Sequence, residues 1–484
     1  MIMAAFAHRS YYVNFASHLL NAWNANMMHP GAGGRWGVRE FAGLLDMIKA
    51  FGFTCFEYWL EPTVYKSALD RSGTYAEFVE TMTAVIDLAH QRGLQVKYIS
   101  APNTIGHEWY FACPNNPDDK ALIEKLWRHW AGVLKGTDII GIFPGDPGGC
   151  NRNGCDHNTF IDLALRLSEI TLQESPSSVV EIGTWGTPFS GWGDDLIHVP
   201  GWDGSWTKLL EGRCDPKTGI GAHIWNGSPQ RAEVAMADFL KRLPEFPDNA
   251  MVGVNLGFSP DADCTCGGDA RPYCREIARL RRISSWDYSV TEGELVVHPH
   301  WRLPRIFSRR REERSAAPFH GAMSYTMSPK LSHMCLYAAG QAAIDPDRDP
   351  DPVSREFARR VFGPQHEALG ELFEAFEVVG GWGRYPRRQW SRQEAHRAYL
   401  QIIEHLRSAD MDNCDLPLFP SPREYRDDLL WFAEMFAKLS QSEPDRESIR
   451  NEYWRRALAI YDNVPMSVDQ RAEQAARQFS QTFA

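Results

Sequence analysis

Long hydrophobic runs are missing from this sequence of 484 residues. No apolar run approaches the roughly 20 residues that a membrane-spanning helix needs. The opening residues, MIMAAFAHRSYY, also lack the basic and apolar regions of a signal peptide. We therefore expect a cytoplasmic protein with no membrane partner, in which the 10 cysteines are free thiols or metal ligands rather than disulfides.

An excess of positive charge is missing as well, since 62 acidic residues outnumber 51 basic ones. The net charge is −11 and is spread along the chain. The basic run Arg309-Arg310-Arg311 is followed at once by Glu312 and Glu313, which is typical of a solvated helix face. This charge balance argues against nucleic acid as the main partner.

Two nucleotide-binding signatures are absent: no GxGxxG motif follows the first candidate strand and there is no Walker motif. Their absence disfavours the doubly wound open sheet, which is the alternative architecture. What the first part of the chain does show is strand-like and helix-like segments in alternation. That pattern predicts parallel strands joined by helical crossovers.

The strand candidates number nine: YYVNFA, TCFEYWL, LQVKYIS, DIIGIF, SSVVEIG, GIGAHIWN, AMVGVNLG, WDYSV and HGAMSYT. GIGAHIWN is interpreted as an insertion, which leaves the eight strands of a (β/α)8 barrel over residues 1–348. Beyond Asp349 the segments have only helical periodicity, so residues 349–484 are predicted to form an α-helical C-terminal domain.

Polar and aromatic residues follow the candidate strands, where a barrel of this class carries its active site. Carboxylates there could protonate a leaving oxygen or activate a water, and amides or imidazoles could hold sugar hydroxyls. The candidate catalytic residues are Asp146, as an acid or a substrate-orienting group, then Glu292 and Glu61. Their structural alternatives are a turn before Pro147, an exposed strand-end charge and a salt bridge.

The candidate substrate-binding residues share aromatic, amide or basic chemistry. The 17 tryptophans are a high count, and a flat indole face suits stacking on a sugar ring. Arg35 could pair with the carboxylate of a uronic acid, although a loop salt bridge is the more ordinary role for it. The set is Arg35, Trp59, Asn103, His107, Trp185, Trp225 and Tyr325.

A resemblance to a known group rests on the segment FHGAMSYTMSPKLSHMCLYAAGQAAIDPDRDPDPVSREFARRVFGP. Gly321, Tyr337, the stretch Asp345 to Asp349 and Phe362-Gly363 resemble the end of the barrel in family 67 α-glucuronidases and, more loosely, family 20 and 84 hexosaminidases. WDYSV resembles the penultimate strand of that group. The resemblance implies a glycoside hydrolase barrel. Where family 20 carries an Asp-Glu pair and family 67 a Glu, this chain has Asp146 alone, which leaves the mechanism open between direct and substrate-assisted hydrolysis.

The cysteines fall in two clusters after candidate strands. Cys150 and Cys155 follow Asp146, and Cys264 and Cys266 lie in DADCTCGGDARPYC. Four thiolates on one rim suit a closed tetrahedral zinc site that ties loops together. Free loop thiols or a disulfide are the alternative.

Together these patterns predict a glycoside hydrolase that acts on a small or chain-end sugar. We expect it to need no cofactor for hydrolysis and to carry a structural zinc. A metal-dependent sugar isomerase or lyase and a non-catalytic carbohydrate-binding barrel are the rival hypotheses. The sequence leaves a homo-oligomer open.

Overall fold

A computed structural model describes most of the chain. It covers residues 5–13, 36–60, 62–71, 75–105, 110–144, 149–150, 152–184, 192, 229–254, 271–286, 299–325, 330–379, 390–441, 445, 448–449 and 452.

Eight parallel strands within these ranges close into a barrel. They are β1 (His8–Val13), β2 (Cys55–Trp59), β3 (Gln95–Ser100), β6 (Ile139–Ile142), β7 (Val179–Gly183), β8 (Met251–Val254), β9 (Arg282–Ser285) and β10 (Gly321–Tyr325). Their order around the barrel is β1-β10-β9-β8-β7-β6-β3-β2. A small antiparallel pair, β4 (Thr104–Ile105) and β5 (Tyr110–Phe111), lies in the connection after β3. The predicted (β/α)8 barrel is confirmed.

Helices follow the strands and cover the barrel. They are α1 (Val38–Phe51), α2 (Pro62–Ser67), α3 (Tyr75–Gln91), α4 (Pro117–Val133), α5 (His157–Glu174), α6 (Pro229–Arg242), α7 (Arg271–Leu280), α8 (Leu303–Ala316) and α9 (His333–Ile344). Side chains alternate along each strand. Residues such as Phe56, Tyr58, Val180 and Ile182 join the large core against the helices, and the residues between them point into the barrel.

The seventh barrel strand corrects the sequence prediction. It spans Arg282–Ser285, whereas WDYSV was predicted as the strand and the preceding REIARLRRI as helix. Helix α7 ends at Leu280, and the strand that follows turns Ile283 to the apolar core and Ser284 to the polar interior. The missing apolar run is the reason that the strand was not predicted. The insertion GIGAHIWN lies outside the described residues.

The prediction of a solvated helix face around the basic run was wrong in part. Arg310 and Glu313 of α8 are fully buried and pair at 2.6 Å, because this face of the helix packs on the barrel, where Arg310 also donates to Ser324.

The C-terminal part of the chain is helical over its described residues, as predicted. It comprises α10 (Pro350–Phe362), α11 (Leu369–Leu372), α12 (Phe376–Val379), α13 (Arg392–Ser408) and α14 (Pro422–Leu439). No helix among the described residues is both long and apolar enough to span a membrane. The boundary between residues 348 and 349 stays a prediction.

The helical region packs directly on the barrel helices. The ring of Tyr337 in α9 lies 5.4 Å from that of Phe357 in α10, and the ring of Trp36 lies 4.6 Å from that of Phe419. The buried imidazole of His333 donates a 2.6 Å hydrogen bond from Nε2 to the carbonyl oxygen of Phe419. Since the ring contacts are apolar and all of these residues are buried, each part covers a surface of the other.

Candidate active site at the barrel mouth

Three charged side chains meet inside the barrel. Lys97 Nζ lies 2.9 Å from Glu57 Oε1 and 2.6 Å from Glu181 Oε1. None of the three side chains is more than 2% exposed. We call Glu57, Lys97 and Glu181 the interior ion cluster. A charge in such surroundings is tolerated only when it is paired and hydrogen-bonded.

Neighbouring strands supply the remaining partners of the two carboxylates. Ser10 donates a hydrogen bond to Glu57 Oε2, and Trp286 Nε1 donates to Glu57 Oε1 at 3.1 Å. Ser284 donates to Glu181 Oε2 at 3.1 Å. Gly253 leaves room for this group, because a Cβ there would lie 2.6 Å from Glu181 Oε1. Every carboxylate oxygen of the cluster is therefore bonded.

Burial and pairing act in opposite directions on the pKa values of the cluster. Burial is the largest influence on Glu57 and raises its pKa, against the opposing effect of Lys97. Burial would lower the pKa of Lys97, but the carboxylates of Glu181 and Glu57 outweigh it and hold that pKa above its ordinary value. Lys97 thus stays protonated and neutralises one of the two carboxylates.

Aromatic side chains lie above the interior ion cluster, at the C-terminal ends of the strands. The ring of Trp286 lies 4.8 Å from that of Phe143 and 5.5 Å from that of Tyr12, and the Tyr12 ring lies 5.2 Å from that of Tyr325. Ile99 and Met323 complete this group, and the half-buried Trp59 packs against it. We call Tyr12, Ile99, Phe143, Trp286, Met323 and Tyr325 the mouth cluster.

The mouth cluster separates the interior charges from the surface. Its six members are at most 5% exposed and the carboxylates beneath them are fully buried, so the half-buried Trp59 is the most accessible aromatic side chain at this layer. Aromatic faces suit the apolar faces of a sugar ring. Trp286 links the mouth cluster to the interior ion cluster, because its ring packs in the former and its Nε1–H donates a hydrogen bond to Glu57 in the latter.

Two loops next to the mouth are tied together by Asn103. Its side-chain amide donates to the carbonyl oxygen of Gly149 at 2.7 Å, and its Oδ1 accepts from the Gly149 N–H at 3.3 Å. It also donates to the carbonyl oxygen of Ala112 at 3.3 Å. Nearby, Trp192 Nε1 donates to the carbonyl oxygen of Pro144 at 2.8 Å. The chain is therefore anchored at both Pro144 and Gly149.

Three thiols converge beside these loops. The Sγ atoms of Cys113, Cys150 and Cys155 all lie within 4.8 Å of one another, and all three residues are buried. Cys150 and Cys155 were predicted to be neighbours in a metal site, whereas Cys113 was not named. Cys113 stands alone in FACPNN, so no spacing motif marked it.

Of the predicted site residues, the structure describes Trp59, Asn103, Tyr325, Cys150 and Cys155. Trp59 and Tyr325 meet at the mouth cluster, and Asn103, Cys150 and Cys155 lie together in the adjoining loops. Their roles toward a substrate or metal stay predictions. The others lie outside the described residues: Arg35, Glu61, His107, Asp146, Trp185, Trp225, Cys264, Cys266 and Glu292.

The interior ion cluster was missed although the sequence carries a signal for it. Glu57, Lys97 and Glu181 each stand in the middle of an otherwise apolar strand segment: CFEYW, QVKYIS and VVEIG. A charged residue inside a buried strand needs a partner. Three such residues of mixed sign on three strands could have predicted a buried ion cluster.

The fold is one that glycoside hydrolases share. The chain is similar to a GH138 enzyme targeting pectin rhamnogalacturonan II, with a TM-score of 0.53 and 10% identity over 99% of this chain and 84% of that one. It is also similar to CpGH84B, with a TM-score of 0.51 and 11% identity over 99% of this chain and 73% of that one. No protein-family model and no curated protein matches the sequence.

Proposed function

We propose that the chain is a glycoside hydrolase that acts on a small or chain-end sugar at the mouth of the barrel. The observation that carries the proposal is the mouth cluster: aromatic side chains from several strands at the end of the barrel where enzymes of this fold bind substrate. The fold likeness to two glycoside hydrolases supports the same reading at the level of architecture.

Asp146 is the proposed acid or substrate-orienting carboxylate. It follows β6, the fourth barrel strand, in the sequence, and the described residues on both sides of it are anchored. Trp192 holds the carbonyl of Pro144, two residues before Asp146, and Asn103 holds Gly149, three residues after it. A carboxylate in acid–base catalysis must keep a fixed position relative to the substrate, and anchored flanks favour that.

Glu61 and Glu292 are the candidates for a second carboxylate. Glu61 is two residues beyond Trp59, where β2 ends. Glu292 is seven residues beyond Ser285, where β9 ends, and so is farther from its strand than the predicted WDYSV strand implied. The corrected bounds of β9 therefore favour Glu61 over Glu292 as the second carboxylate.

The substrate class follows from the resemblance to family 67 and the candidate role of Arg35. A guanidinium group matches a carboxylate in shape and charge, so a uronic acid is the sugar to test first. The GH138 enzyme with a similar fold targets pectin rhamnogalacturonan II. We therefore add pectic oligosaccharides to the substrates to be tested. We also propose a cytoplasmic location, which cell fractionation tests.

The test is a panel of nitrophenyl glycosides and uronic-acid-containing oligosaccharides, with product anomers followed by NMR. Hydrolysis of at least one member with a defined anomeric outcome is expected. Formation of an isomerised or unsaturated sugar that stops on chelation would instead indicate a metal-dependent isomerase or lyase. Saturable binding across the panel with no turnover would indicate a carbohydrate-binding barrel.

A further inference from the structure

The thiol cluster, Cys113 with Cys150 and Cys155, joins two loops from neighbouring barrel strands. Cys113 lies between β5 and α4, in the connection that follows β3, and the other two lie between β6 and α5. Since β3 and β6 pair in parallel, both connections leave the same end of the barrel. The cluster thus lies at the mouth, although it has no part in the hydrolysis proposed above.

A tight turn brings Cys155 back onto Cys150. Asn153 and Gly154 have φ angles of 52° and 70°, the left-handed conformation that Asn and Gly adopt most readily. The N–H of Cys155 bonds to the carbonyl oxygen of Arg152 at 3.0 Å. The local sequence therefore folds both thiols of this loop toward Cys113.

The sulfur spacing matches a shared metal ion rather than a disulfide. Cys113 Sγ and Cys155 Sγ are 3.6 Å apart, whereas the sulfur atoms of a disulfide are about 2.04 Å apart. Sulfurs on a tetrahedral zinc, with bonds of about 2.3 Å, lie about 3.8 Å from one another. A disulfide would also leave the third buried thiol without a role.

We infer that Cys113, Cys150 and Cys155 bind one Zn²⁺ ion through their sulfur atoms. Thiolates are ligands that favour zinc, and a tetrahedral ion holding three of them keeps one position for a fourth ligand. The ion would tie the β3 and β6 connections together next to Gly149, which Asn103 also holds. As a tie between two loops the ion would be structural, with a fourth ligand closing its coordination sphere.

Hydrogen-bond donors around the sulfurs support this assignment. The Arg152 N–H donates to Cys150 Sγ at 3.4 Å, and the Asn153 side-chain amide donates to Cys113 Sγ at 3.4 Å. Such donors stabilise metal-bound thiolates and orient them. Without metal, the thiols of Cys113 and Cys150 lie 3.7 and 3.9 Å from the Arg152 carbonyl oxygen, which can accept their protons. Zinc binding releases those protons to solvent.

The experiment measures metal content in the full-length protein. After purification without chelators, elemental analysis for zinc, copper and iron should find about one zinc per chain. Cys113→Ser, Cys150→Ser and Cys155→Ser should each lose it, whereas Cys414→Ser, in the helical region, should keep it. Asn153→Gly retains the left-handed turn but removes the donor to Cys113, and should weaken zinc affinity by about 10- to 100-fold.

Cobalt substitution in the wild-type protein gives a readout that does not depend on how the variants fold. Intense thiolate-to-cobalt charge-transfer bands with tetrahedral d–d bands are expected. Zinc that persists in all three serine variants, copper or iron in its place, or a protein lighter by two hydrogens because Cys113 and Cys155 are oxidised would each overturn the inference. So would metal-free protein in which all three thiols react freely under native conditions.

Discussion

The interior of the barrel and the surface of the C-terminal helical region use charge in different ways. In the barrel, Lys97 and its two glutamates are at most 2% exposed and every carboxylate oxygen is bonded. On the surface of the helical region, Lys438 Nζ lies 2.7 Å from Glu452 Oε2, but the two side chains are 46% and 43% exposed. Water screens the second pair and cannot reach the first.

The comparison indicates which charges hold the side chains of the candidate site in position. The interior ion cluster holds Trp286 through Glu57, and Trp286 is part of the mouth cluster. A change in the buried charges is therefore transmitted to the aromatic layer at the C-terminal end of the barrel. A change in the exposed pairs has no such path. The helical region contributes through its apolar packing and through the buried Glu377, which lies 3.0 Å from His300 Nδ1 and accepts from the Trp301 N–H at 2.7 Å.

Truncation tests that packing contribution and should have the largest effect. A chain that ends at Arg348 loses α10 to α14 and exposes the apolar face of α9, notably Tyr337, which packs on Phe357. We expect insoluble protein, as measured by the soluble fraction relative to the full chain. A soluble, cooperatively unfolding barrel would show that the two parts are independent and would place the proposed domain boundary there.

Lys97→Met tests the interior ion cluster. It leaves two buried carboxylates without their cation, so the free energy of unfolding should fall by about 3–5 kcal/mol. Lys438→Met breaks an exposed pair and is the matched control, with an expected loss below about 1 kcal/mol. Chemical denaturation of both variants measures the difference, and equal losses would contradict the distinction between buried and exposed charged pairs.

His333→Gln tests the junction between the regions through pH. Burial lowers the pKa of His333 to about 4, whereas an unfolded histidine titrates near 6.5. Between these values the unfolded chain takes up a proton that the folded chain does not, so stability falls as the pH drops from 6.5 toward 4. The contribution reaches about 3 kcal/mol at the lower end.

Glutamine at position 333 can still donate to the Phe419 carbonyl but does not titrate. The free energy of unfolding of His333→Gln should therefore decline less than that of the wild type over this pH window, while above pH 6.5 the two curves should run parallel. Parallel curves down to pH 4 would show that His333 does not titrate as its burial implies.

Trp286→Phe should have a smaller effect on stability than Lys97→Met or His333→Gln. It keeps an aromatic ring in the mouth cluster and removes one donor to Glu57, whose Oε1 still pairs with Lys97. A loss of about 1 kcal/mol is expected for one hydrogen bond. If Trp286→Phe lost more stability than Lys97→Met, Trp286 rather than Lys97 would be the more important partner of Glu57.

The sequence predicted the barrel because alternating apolar strands and amphipathic helices are local patterns. It failed at β9 because Ser284 points into a polar interior, so the strand lacks an apolar run. The interior ion cluster and Cys113 depend on contacts between residues far apart in the chain, such as Lys97 with Glu181 and Cys113 with Cys155. Asn103 could be placed near the site by its position after β3, but its bonds to Gly149 required the structure.

The most direct test of the proposed hydrolase is the turnover number of Asp146→Asn on the best substrate of the panel. Asp162→Asn, an exposed position on α5 that pairs with Arg242, is the control. Removal of a general acid or base should lower kcat by at least about a hundredfold, with the melting temperature unchanged and the control near wild-type activity. A kcat for Asp146→Asn close to that of the wild type would contradict the account.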